Sequence, residues 1–233
     1  GAPAGFDPEG WLAALSVTLS AAEAGTMRQA LDFALPLYRE DRLSHGETIS
    51  NHALGMAVTL AAMRLDYESL AAAILFAVPG RLENYGDKLR EAFSPAVVQL
   101  LEGVARMSQI QLLSGSVGTD QEAHTEALRK MLLAMAEDIR VVLIKLADRI
   151  QTLRFVAGRE APGREAAAQE TLDLFAPLAS RRGVWQAKWE LEDLAFRILE
   201  PKLYQDLARR LDERHANRER YLSKVIAKLK QEL

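Results

Sequence analysis

Apolar residues recur at helical spacing through the middle of the chain, at Leu128, Met131, Leu132, Met135, Ile139, Val142, Leu146, Ile150 and Leu153. Between Ile139 and Ala147 the apolar character runs nearly all the way round, which predicts a helix covered on most sides by other helices. Asp138 suits an N-cap, so the stretch 128–154 reads as two helices meeting near 137–138 rather than one rod. One carboxylate, Asp148, interrupts the second helix. Buried bare it would be costly, so it must be paired, bound to a metal or turned to a cleft. An ion pair with Arg149 or another base and a metal bond both meet that requirement.

The same reading extends along the chain. Asp7, Pro8 and Glu9 open a helix that runs to about residue 24 and stops at Gly25. Thr26 caps the next, to about residue 40, with Pro36 kinking or shortening it. After a polar turn at 41–46 come helices over about 49–63 and, capped by Asp66, over 67–78, the latter ended by Pro79 and Gly80. A short amphipathic helix over 82–93 follows, then a Ser94-Pro95 start to a helix over 96–107. Glycines and hydroxyl residues make 108–120 the best candidate for a loop. Residues 157–164 form a second loop, and 165–178 a helix whose last turn Pro177 distorts. The helix over 184–199 is amphipathic, with Trp185, Trp189 and Phe196 on or near one face. From Pro201 onward only a narrow apolar stripe remains, Leu203, Leu207, Leu211, Tyr221, Val225 and Leu229, which predicts an arm packing by one side. The divisions are an N-terminal extension with the first helix (1–26), a main domain (27–200) and a helical arm (201–233). The fold class expected is all-α.

Composition narrows the chemistry. With 49% hydrophobic residues in 233, a sizeable core is available. A net charge of -3 gives no bulk basic surface for nucleic acid. The absence of cysteine rules out disulfides and zinc-thiolate sites and fits a reducing cytoplasm. No apolar run is long and charge-free enough to span a bilayer, and the first residues lack the features of a signal peptide. Phosphate-loop, HExxH and GxSxG signatures are missing. Of four histidines, His45, His124 and His215 lie in or beside polar segments and read as surface residues. His52 opens an apolar helix and reads as a satisfied structural histidine or, with Asp148, as part of a metal site. Those two ligands alone are too few for a tight site.

The run LRKMLLAMAEDIRVVLIKLADRIQTLR, followed by ETLDLFAPLASRRGVWQAKWELEDLAFRILEP, resembles the N-terminal half of the RelA/SpoT family of stringent-response enzymes, which make and degrade the alarmone (p)ppGpp. The resemblance runs from about residue 27 to the end. It implies an HD-domain-like helical bundle, with 201–233 as an arm leading to a synthetase domain whose signature this chain does not contain. Active members of the family remove the 3′-pyrophosphate of (p)ppGpp with a manganese ion.

The family's metal positions are only partly kept here. In the place of GEPYxxHP stands GETISNHA, which keeps His52. In the place of LLHDVVEDT stands ILFAVPGR, so Phe76 and Ala77 stand where the resemblance implies a histidine and an aspartate. Gly80 and Arg81 replace the acidic pair that activates water. Within KLADRIQTLRF, Asp148 survives, while Thr152 and Phe155 hold the nucleotide-contacting asparagine and threonine positions. Manganese has to hold and sharpen a water, and too few donors remain for that. Losing the acidic pair removes proton transfer worth about 10²–10⁴-fold. The resemblance therefore implies an inactive, cytoplasmic domain without a cofactor. Its partner would be the synthetase domain of the same protein, while ribosome and tRNA contacts belong to C-terminal regions of the family. A metal-independent (p)ppGpp or GDP sensor using Arg42, Lys145 and Arg154 is the alternative, and a residual manganese-dependent hydrolase a third.

Overall fold

The computed structural model describes residues 10, 19–114, 138–181 and 184–210. Among them every regular element is helical. Most of the first expected helix, residues 115–137, His124, His215 and the arm beyond 210 lie outside the described residues.

Helix α1 (Ala21–Tyr38) starts earlier than the glycine at 25 suggested. Ser20 accepts from the Glu23 amide and Glu23 answers on the Ser20 amide, a capping box written in the sequence as Ser-Ala-Ala-Glu. Gly25 is an interior helical residue, since the cap five residues before it sets the start. Pro36 sits in the last turn of α1, just ahead of the C-cap Arg39. Helix α2 (Ile49–Ala62) is capped by Thr48, and α3 (Tyr67–Ile74) by Asp66 as expected. Helix α3 ends at Ile74, four residues short of the expected 78, and passes into a 3-10 turn, Val78–Gly80, with Pro79 inside it. Helix α4 (Tyr85–Ala92) leads to α5 (Pro95–Ser114).

Helix α5 continues through Ser108, where a loop was expected. Ser108 bonds its hydroxyl back to the Val104 carbonyl, and the Gln, Ile and Leu residues after it are adequate helix formers. Helix α6 (Ile139–Val156) begins at the Asp138 cap. The next stretch is α7 (Arg164–Glu170), a single π turn (Thr171–Phe175) and α8 (Ala176–Arg181). Pro177 lacks the amide that would bond back one turn, and its ring crowds that carbonyl. The wide π turn directly before it absorbs the misfit. Helix α9 (Trp185–Leu199) follows, and residues 201–210 are helical again.

Helix α2 is the centre of the bundle. Its residues Ala53, Leu54, Met56, Ala57 and Leu60 are all buried, between α3 on one side and α6 on the other. Helix α6 is shared by two layers, because it also touches α5 and α9. It comes close to its neighbours at two glycines. A methyl group on Gly103 of α5 would lie 2.7 Å from Val141 Cγ2, and one on Gly55 of α2 would overlap the Gln151 amide. Tyr38, fully buried, ties the end of α1 to the end of α3: its hydroxyl donates to the Ile74 carbonyl (2.7 Å) and accepts from the Ala77 amide (3.2 Å). Burial pushes that phenol's pKa up. At the other end, Arg140 reaches Asp66 and Glu68 at 3.0 Å, joining the starts of α3 and α6.

Helix α9 buries Ala187, Leu191, Ala195 and Ile198, which are small or branched residues, and packs against α6, α7, the π turn and α8. Its tryptophans face outward, with Trp185 54% and Trp189 66% exposed. The described part of the arm does not bury its stripe either, since Leu203 and Leu207 are exposed. No described helix is long and apolar enough to cross a membrane.

Candidate functional site

The Thr48 cap starts α2 in a fixed register, with its side chain accepting from the Asn51 amide, and so turns His52 inward from the first turn. Asp148 lies in the middle of α6, and the bare Cα of Gly55 lets α6 come near enough to reach it. The result is an imidazole held from both sides. His52 Nε2 is 2.9 Å from Asp148 Oδ1, and His52 Nδ1 is 2.8 Å from Glu47 Oε2. The ring itself is fully buried.

Each carboxylate has a second partner. Lys145 Nζ donates to Asp148 Oδ2 at 2.6 Å and to Ser108 Oγ at 3.2 Å. Gln151 Nε2 donates to Glu47 Oε1 at 2.6 Å. His45 Nε2 stands 3.5 Å from Glu47 Oε2. Burial alone would lower the His52 pKa, but the bonds to Asp148 and Glu47, reinforced by their charges, hold it at about 9. Burial likewise opposes ionisation of Glu47, yet bonds from His45, His52 and Gln151 bring its pKa down to about 2. Asp148 is held well below the usual carboxylate range, against its burial, by the Lys145 charge and the His52 bond. At neutral pH the arrangement is therefore an imidazolium and an ammonium against two carboxylates.

The remaining residues singled out in the sequence take these places. The Phe76 ring lies 5.2 Å from the His52 ring and 6.3 Å from that of Tyr38. Ala77 is buried beside the Tyr38 hydroxyl. Gly80 ends the 3-10 turn, and Arg81 pairs at 3.5 Å with Asp41 rather than with the His52 cluster. Thr152 bonds back to the Asp148 carbonyl. Phe155 stacks edge-on to His45 at 5.5 Å and carries the Arg159 guanidinium on its face.

Three basic residues expected together are apart. Arg42 folds onto the Gly46 carbonyl (2.8 Å), while Arg154 joins Glu190 and Thr59. Only Lys145 of the three lines the cleft beside the cluster, a space of about 260 Å³ that also takes in Ser44, His45, Arg149, Thr152 and Arg164. Arg149 does not pair with Asp148. It holds Glu170 and lies over the Phe175 ring, so Asp148 takes the bases at 52 and 145 instead.

Sequence reasoning missed three members of the site. Glu47 and Gln151 carried no apparent role, and His45 read as a surface residue; the structure puts it half-buried against the His52 and Phe155 rings. The available signal was the local spacing His45-x-Glu47 followed five residues on by His52.

Residues 30–185, about two thirds of the chain, match the HD domain family model HD_4. The chain is 36% identical over 232 residues to a GTP pyrophosphokinase of Escherichia coli strain K12, covering 98% of this chain and 30% of that protein. It is 36% identical over 214 residues to a GTP pyrophosphokinase of Streptomyces coelicolor, covering 91% of this chain and 24% of that one. A guanosine-3′,5′-bis(diphosphate) 3′-pyrophosphohydrolase of Haemophilus influenzae is 36% identical over 187 residues, 80% of this chain and 27% of that protein. The chain thus spans under a third of the length of these relatives. An all-helical bundle, a buried His52 bonded to the half-buried Asp148 and these likenesses agree: the chain belongs to the HD domain family, as an HD domain of the RelA/SpoT type.

Proposed function

We propose that this chain is a catalytically inactive HD-type domain serving as a regulatory module of a cytoplasmic stringent-response GTP pyrophosphokinase. The parent protein would transfer pyrophosphate from ATP to GTP or GDP. The observation that carries the reading is the Phe76 ring against His52, where the family's resemblance implies a metal-binding imidazole. Of the four implied ligand positions, Phe76 and Ala77 offer no side-chain donor, and the other two, His52 and Asp148, are bonded to each other. Lys145 adds a positive charge at 2.6 Å from Asp148. That donor set does not fit the manganese ion of active relatives, which needs oxygen-rich ligands in number. Gly80 and Arg81 supply no base for water, and Arg81 is turned to Asp41.

The test is a pyrophosphate-release assay on the purified chain with (p)ppGpp and added manganese. We expect no release above a protein-free control; release that scales with manganese overturns the reading. The regulatory role predicts that removing residues 213–233 from the full-length protein uncouples its synthesis rate from regulation. Unchanged regulation in that deletion overturns it. The sensor alternative draws on the cleft, which gathers Lys145, Arg149 and Arg164. Lys145 and Arg149 are already paired with Asp148 and Glu170, and Arg164 with Glu160 and the Arg159 carbonyl. Calorimetry with (p)ppGpp separates the two readings.

A further inference from the structure

We propose that His45, Glu47 and His52 form a binding site for a zinc-type divalent transition-metal ion, on the opposite edge of the His52 ring from Asp148. One ligand atom from each of the three residues lies within 4.8 Å of the other two. Glu47 Oε2 is 2.8 Å from His52 Nδ1 and 3.5 Å from His45 Nε2. Metal–ligand bonds of about 2.0–2.1 Å place tetrahedral ligand atoms about 3.3–3.5 Å apart, so the three need only small side-chain movements. Neither His45 nor Glu47 is a position at which the family resemblance implies a ligand. The proposal does not depend on the reading of the domain as inactive.

The surroundings are those of a built site. A ligating histidine needs its other ring nitrogen held by a hydrogen bond, commonly to a carboxylate. Asp148 provides this at 2.9 Å on Nε2, which leaves Nδ1 as the ligand nitrogen, and Lys145 fixes Asp148 in turn. A ligating carboxylate is also held from behind, and the fully buried Gln151 does so at 2.6 Å on the Glu47 oxygen remote from His52. Gln151 is pinned there by the bare Cα of Gly55. His52 and Glu47 are buried, while the His45 side chain is 13% exposed and borders the cleft, which gives an ion its route in. Three protein ligands leave a fourth position for water.

Two imidazoles and one carboxylate are a donor set for zinc rather than for manganese or magnesium. Binding replaces the hydrogen between His52 Nδ1 and Glu47 with the metal, and that proton leaves to solvent. The ion would clamp the turn before α2 to the first turn of that helix.

The experiment is calorimetry of the whole 233-residue chain, stripped with a chelator and dialysed, titrated with zinc chloride and separately with manganese chloride. We expect one zinc per chain and at least tenfold weaker manganese binding. His45→Ala should weaken zinc at least tenfold without changing the far-ultraviolet circular dichroism. His45→Cys should retain one-to-one binding and give a thiolate-to-metal charge-transfer band with cobalt. Asp148→Asn should weaken zinc and keep its stoichiometry. No zinc binding by the stripped chain overturns the proposal. So does unchanged affinity in His45→Ala alongside lost stoichiometry in Asp148→Asn, because that pair of results puts the ion on the other edge of the ring.

Discussion

Raising the pH should unlock the His52 clamp. The imidazole has no contact with water and is held charged by Asp148 on Nε2 and Glu47 on Nδ1. The other charged or titratable groups around it are His45 in the turn before α2 and Lys145 on α6; Phe76, from the segment after α3, brings none. Its pKa of about 9 stands above the ordinary 6.5, and that gap corresponds to about 3 kcal/mol of folding stability. The folded chain keeps the proton between those two values, where the unfolded chain has released it. Stability from this group is therefore complete below pH 6.5 and lost as the pH rises through 9. Urea unfolding of metal-stripped protein should give a free energy about 3 kcal/mol lower at about pH 10 than at about pH 6, after subtracting the same difference in His52→Gln. The His52 ring proton followed by NMR should titrate near pH 9. A midpoint at or below 6.5 refutes the argument, because the two carboxylates would then not outweigh burial.

Other perturbations probe the same frame. Glu47 has the opposite sign: its pKa of about 2 lies below the ordinary 4.5, so its contribution is complete above 4.5 and lost as the pH falls through 2. Acid unfolding should be displaced to higher pH in Gln151→Ala, and an unchanged acid midpoint speaks against that bond. Gly55→Ala gains about 1 kcal/mol of helix propensity but drives a methyl into Gln151. Its melting temperature should fall, and Gln151→Ala in the same chain should recover part of the loss; a higher melting temperature for Gly55→Ala alone contradicts the close approach. Tyr38→Phe leaves the Ile74 carbonyl and the Ala77 amide without their buried partner and should cost about 1–3 kcal/mol in chemical denaturation, against nearly zero if the hydroxyl is idle. Phe76→His alone should not produce manganese-dependent release of pyrophosphate from (p)ppGpp, since Ala77, Gly80 and Arg81 still lack the needed donors. Release by that single variant contradicts the donor count.

How much of this was legible beforehand depended on where the controlling signal sits. Helix α6 could be read because its apolar run and its Asp138 cap are both local. The Asp66 and Ser94-Pro95 starts were legible for the same reason. The α1 start departs from the sequence expectation because the Ser20–Glu23 capping box sets a helix start more firmly than Gly25 sets a boundary. The outward turn of Trp185 and Trp189 could not be read from amphipathicity, since α9 has two apolar stripes and its neighbours in the fold cover the one with the smaller side chains. In the site, resemblance to a known family marks His52 and Asp148, 96 positions apart, as two positions of one implied metal site, and the structure puts their polar atoms 2.9 Å apart. Glu47 and Gln151 are 104 positions apart, and nothing in either one's neighbourhood announces the other.

The charges of the cluster explain why a buried histidine can persist at a site where Phe76 offers no donor. An uncompensated carboxylate in this interior would cost several kcal/mol. Glu47 is buried and Asp148 half-buried, so both carboxylates need compensation, and a divalent ion is one way to supply it. The structure balances them with side chains: the His52 imidazolium lies between the two, and Lys145 completes Asp148. Their charges cancel, so the cluster offers a hard dication little net attraction. A metal can enter only by displacing a proton from nitrogen, which favours an ion that bonds strongly to imidazole. Both proposals draw on this one arrangement: an inactive Asp148 edge of the ring and a zinc-type site on the Glu47 edge. It also requires the two to be separable, because the Asp148 edge needs donors at 76 and 77, while the Glu47 edge needs only His45.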